Sequence, residues 1–116
     1  MTENKIVSIK GKEYTISFPN VGQYYDIEAL KQSLGKGYYN ALLGNHTKAA
    51  SDALDMIDIE ATVRVLMPDL IKDMKVSNFR ELGIKDFMEI RRIYDKEIFP
   101  FLKEVQMILN PPPTEK

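Results

Sequence analysis

The chain has 116 residues and a mass of 13.3 kDa, with 44% apolar and 28% charged residues, 16 basic side chains against 17 acidic ones, and no cysteine. That size suits one globular domain. The near-neutral charge leaves no basic excess to neutralise phosphates, so nucleic acid is not an expected partner, and the missing cysteine removes disulfides, thiolate catalysis and cysteine-ligated zinc.

Residues 5–10 and 13–18 alternate polar and apolar at period two, which predicts two strands. Gly11-Lys12 between them suits a type II′ turn with glycine in first place. Val7 and Ile9 share one face, opposite Ile6, and Tyr14, Ile16 and Phe18 line up on the second strand. A lone hairpin is barely stable, so that face is expected to rest on helices or pair with another sheet. Asn20 with Gln23 forms a capping box that opens a helix running to Leu34, and Gly35 is expected to stop it in a left-handed conformation. Its stripe is Tyr24, Ile27, Leu30 and Leu34. YYNALL, between Gly37 and Gly44, reads as a helical turn or two.

Thr47 caps a helix over 48–66 that is apolar on almost every side, which predicts a central position. Glu60 and Arg64 are expected to form an exposed i,i+4 pair on it. Pro68 either kinks that helix or begins another over 68–74. Ser77-Asn78 opens a short turn, FREL, closed by Gly83, and Asp86 with Glu89 reads as a second capping box. The helix that follows reaches Asn110 on the stripe Phe87, Ile90, Tyr94, Ile98, Phe101, Val105 and Ile108. Pro100 predicts a kink near residues 96–100. The expected fold is α+β and helix-dominated, an N-terminal β-hairpin followed by four to five helices, the last long and kinked at a proline. One domain is expected over 1–110 (hairpin 5–18, helical part 20–110), with 111–116 as a flexible proline-rich tail.

Catalytic chemistry finds little purchase. His46, the only histidine, sits in the loop GNHT, and histidine catalysis needs an orienting acid and a reacting proton beside it. Asp52, Asp55, Asp58 and Glu60 could in principle offer oxygen ligands to a divalent cation. They lack the calcium-loop glycine, and they read as the solvated face of an apolar helix. Gly35-Lys36-Gly37 lacks the third glycine and the preceding strand of a dinucleotide loop. No enzyme activity, cofactor or metal is expected. The opening stretch, MTENKIVSIKGKEYTISF, has no signal-like segment, and no run approaches the roughly eighteen apolar residues of a membrane span. A cytoplasmic protein without a membrane partner is expected.

What remains is protein binding. In Tyr24-Tyr25 and Tyr38-Tyr39, neighbours on a helix point about 100° apart, so one tyrosine of each pair is expected at the surface. Tyrosine suits interfaces because an apolar ring carries a polar tip. These four, with Phe101, Val105 and Ile108 of the last stripe, are the candidate interface residues.

The order of hairpin, FPNVGQYYDIEALKQSLGKGYYNALL, ALDMIDIEATVRVLMPDLIKDM and a long helix with IFPFL resembles the small tail assembly chaperones of long-tailed bacteriophages and prophages. The resemblance covers most of residues 5–109 and lies in element order and apolar character. It implies a cytoplasmic protein of a bacterial host that coats the tape-measure protein, a long helical client. It also implies possible homo-oligomers and, in many members, a longer frameshifted form. The alternative is a structural virion component, a tail-completion or connector subunit whose hairpin adds strands to neighbours in a ring.

Overall fold

The computed structural model describes residues 4–36 and 38–109. The chain divides into two units: one joins the segment up to Phe18 with everything from Gly83 onward, and the other is the intervening Pro19–Leu82. Among the described residues the architecture is helix-dominated, an N-terminal antiparallel hairpin followed by five helices, of which the last is long, kinked and built from two α-helical stretches joined by a π turn. The tail expected at 111–116 lies outside the described residues.

In the first unit, β1 (Asn4–Ile9) pairs antiparallel with β2 (Lys12–Ser17), with Val7 opposite Tyr14 and Ile9 opposite Lys12. The turn is therefore Lys10-Gly11, one residue earlier than the sequence suggests. Both turn residues have positive φ, 53° and 79°, so it is type I′ rather than II′, with glycine second. Either register places Val7, Ile9, Tyr14 and Ile16 on one face, so alternation alone cannot choose between them. That face is buried, while Ile6 on the other side is exposed. The turn is also gripped from outside the hairpin. Lys10 donates its backbone N–H to Glu89 Oε2 at 2.8 Å and its ammonium lies 2.9 Å from Asp86.

Those two acids do not form the expected capping box. The helix α5 (Ile84–Ile93) begins earlier, at the N-cap Gly83 and without a side-chain cap, which puts Asp86 and Glu89 inside it and within reach of Lys10. It packs against β1 and buries Ile90 and Ile93. A π-helical turn, Tyr94–Ile98, joins α5 to α6 (Phe99–Leu109). The Phe99 N–H reaches back five residues to the Tyr94 carbonyl. This widened turn makes room ahead of Pro100, whose ring would otherwise meet the carbonyl four residues back. Among the described side chains the buried positions are Ile90, Ile93, Ile98 and Phe101. Tyr94, expected in the stripe, is only half-buried, because the five-residue interval from Ile93 to Ile98 carries the face across the π turn.

In the second unit, α1 (Val21–Leu34) starts on the expected box: Gln23 N–H donates to Asn20 Oδ1 at 2.8 Å and Asn20 N–H to Gln23 Oε1 at 3.0 Å. Gly35 is not left-handed; its φ is −74°, and Lys36 takes the positive φ instead. Glycine stands at 35 because α2 (Tyr39–Leu43) turns back so closely. A Cβ there would sit 3.0 Å from Tyr39 Cβ and 3.2 Å from the Lys31 carbonyl. At Gly11 an added Cβ meets nothing within 4 Å, so only the backbone objects. Gly11→Ala is therefore expected to cost about 1 kcal/mol and Gly35→Ala about 2 kcal/mol. Asparagine, which tolerates positive φ, should restore stability at 11 and not at 35. Chemical denaturation midpoints check both, and a neutral Gly35→Ala would remove the close-approach account.

The long helix α3 (Lys48–Leu66) opens on Thr47, whose hydroxyl accepts from Ala50 N–H at 3.1 Å. It packs against α1, α2 and α4 (Pro68–Met74), and its residues 59–63 are all buried. Pro68 begins the new helix rather than bending the old one, since its missing N–H is not needed in a first turn. A single 3₁₀ turn, Phe79–Glu81, follows, capped by Asn78.

Candidate protein-binding groove in the second unit

The candidate site is built on α3. Ala53, Met56, Ile57 and Glu60 fall at i, i+3, i+4 and i+7, one stripe of that helix. The end of α1 with its Gly35-Lys36 exit forms one wall, Tyr38 and Leu42 another, and Asn78, Phe79 and Arg80 the lip. Together they enclose an open groove of about 540 Å³ whose lining is mostly apolar. Met56 is 42% exposed and Tyr38 70% exposed.

Glu60 organises the lip, and it is not the exposed residue expected from sequence. It is 8% exposed, and its Oε2 accepts from Arg64 Nε at 2.9 Å and from the buried Phe79 backbone N–H at 3.2 Å. Arg64 in turn donates to the Ser77 carbonyl. Glu81 accepts from Ser77 N–H at 2.8 Å, and Asn78 accepts from Arg80 N–H at 2.9 Å. The lip is thus tied to α3 through one carboxylate and closed on itself by short-range bonds.

Tyr24, Tyr25, Tyr38 and Tyr39 all belong to this unit, but only Tyr38 lines the groove. Tyr25 is exposed elsewhere and Tyr24 is half-buried. Tyr39 is buried, and its hydroxyl donates to Asp58 Oδ1 at 2.8 Å. Phe101 is spent on the first unit, where its ring meets Phe18 edge-on at 5.7 Å. Ile108 is exposed on α6, and the Val105 side chain lies outside the described residues. Leu34, Leu42 and Met56, which complete the groove, are not among the interface residues expected from sequence, Leu34 being expected only in the α1 stripe. The α3 stripe was there to be read, but it is hidden in a helix apolar on most sides.

The acidic series does not converge. Asp52 pairs with Lys48 at 3.3 Å on an exposed face, and Asp58 faces Tyr39 and the Lys31 ammonium, 3.7 Å away. Among the described residues no three acids or histidines gather as a metal site, and His46 is exposed. Burial holds the Asp58 carboxyl above its ordinary value of 3.8. Lys31 and the Tyr39 hydroxyl reduce that rise, and Asp55 and Glu28 add to it. A carboxyl whose folded pKa is raised contributes stability in full below its unfolded value and loses it as pH climbs through the folded one. Relative to Asp58→Asn, the wild type should therefore lose stability as pH rises from below 3.8 toward neutrality. Urea midpoints of the two proteins across that range check this, and a difference growing in favour of the wild type would contradict it.

No family model, curated protein or solved structure matches this chain. Among the described residues no helix is long and apolar enough to cross a membrane.

Proposed function

We propose that the protein is a non-catalytic, protein-binding chaperone of phage tail assembly, acting in the cytoplasm of a bacterial host on a tape-measure-like helical client. The observation that carries this reading is the open apolar groove on the α3 stripe, with Tyr38 and Met56 exposed at its surface. An amphipathic client helix gains by laying its apolar face into such a groove. Methionine there adapts to more than one partner surface. The resemblance in element order supplies the identity of the client, and homo-oligomers would multiply the number of grooves along it.

Co-expression with the tape-measure protein of the same genome tests the reading. The expected result is a soluble complex that co-purifies and that Met56→Asp disrupts. A tape-measure protein that stays insoluble and unbound overturns it. Mass spectrometry of purified particles is expected to find the protein absent. Its retention there would favour a structural tail component instead.

A further inference from the structure

We infer that the groove selects a partner helix whose apolar face is flanked by acidic residues, an inference that rests on the groove being a protein-binding site. Three charged side chains belong to its lining: Lys36, Glu60 and Arg80. Glu60 is already committed, its carboxylate shared between Arg64 and the Phe79 N–H. Lys36 and Arg80 are both exposed, and neither side chain has an acidic partner among the described residues. The border therefore presents two uncommitted positive charges around an apolar floor. One comes from the α1–α2 connection and the other from the 3₁₀ turn.

The backbone decides what kind of segment fits. This unit contains no strand among its described residues. An extended peptide would find no ladder for its own N–H and C=O groups, whereas a helix brings those groups already satisfied. An arginine at the border favours a carboxylate over a neutral amide, because its planar fork matches both carboxylate oxygens. Opposite charge across such a border also raises the rate of encounter and disfavours basic helices.

Two fluorescein-labelled designed helical peptides provide the probe. They share one leucine and phenylalanine face and differ only in flanks, glutamate in one and lysine in the other. Anisotropy titrations with the full chain at low salt should show the glutamate peptide binding about tenfold more tightly. The gap should narrow as salt screens the flanks. The double variant Lys36→Glu/Arg80→Glu should reverse the order, with its circular dichroism and melting unchanged. Equal affinity for both peptides, abolished by Met56→Asp, would overturn acidic selection and leave the groove as the binding site. Binding by neither peptide, or binding indifferent to Met56→Asp, would overturn the groove reading itself and this inference with it.

Discussion

Glu60→Ala is expected to destabilise the second unit by about 3 kcal/mol. The substitution removes a carboxylate that two donors share, the Arg64 guanidinium and the buried Phe79 N–H. Arg64 keeps about a quarter of its side chain in water, so its charge is partly rehydrated, and the loss falls toward the lower end of the range for broken buried pairs. Phe79 has no such recourse, because its residue is 5% exposed and an orphaned amide loses its whole hydration. Glu60→Gln should cost less, since both donors bond the same oxygen, Oε2, and an amide oxygen in its place still accepts both while losing only the charge opposite Arg64. Urea denaturation measures both variants. Hydrogen exchange adds a local readout, in which the Phe79 amide should be protected in the wild type and fast in Glu60→Ala. A loss below about 1 kcal/mol with Phe79 still protected would show that the lip is held by something else.

The second large effect belongs to the π turn. Ile98 is wholly buried, and Ile98→Ala is expected to cost about 3 kcal/mol through lost contacts and the cavity left behind. The exposed Lys96 sits two residues earlier in the same turn. Deleting it shortens the interval between Ile93 and Ile98 from five residues to four, which is what an ordinary α-helix needs to keep both on one face. The deletion alone would return the proline ring to the clash that the wide turn avoids. Combined with Pro100→Ala, it should yield a regular helix at a cost below about 1 kcal/mol. Thermal melts of the point variant and of the combined variant test the ordering. If the combined variant loses as much as Ile98→Ala, the π turn does more than accommodate the proline.

Features set by local chemistry were legible in the residues. Asn20 and Gln23 announce α1 and Thr47 announces α3, while Pro68 leaves open a kink or a new helix, both of which its missing N–H allows. The first tyrosine doublet shows what a 100° separation requires, with Tyr25 exposed beside half-buried Tyr24 in α1, whereas Tyr38 is exposed beside buried Tyr39 because it stands just ahead of α2. What stayed hidden depends on residues far apart in the chain. Nothing near Glu60 reveals that Phe79 will need its carboxylate, and nothing near Asp86 reveals that Lys10 will. The stripe of the last helix departs from a regular period at Tyr94, because no such period anticipates a five-residue interval. The groove was half legible: Tyr38 could be suspected from its doublet, but its opposite wall is made by tertiary packing.

The order of the chain has a consequence for synthesis. The first unit is completed by residues that lie beyond the whole of the second. On the ribosome the hairpin emerges before the second unit, yet α5, which packs against β1, and Phe101, which meets Phe18, are translated only after it. Until then Val7, Ile9, Tyr14 and Ile16 lack the helices of their own unit, on a two-stranded ribbon. The second unit has all of its residues available well before that and can close as each helix follows its neighbour. A nascent chain would thus carry a finished helical unit behind an uncovered hairpin, and translation of α6 is the step that ends its exposure to other chains.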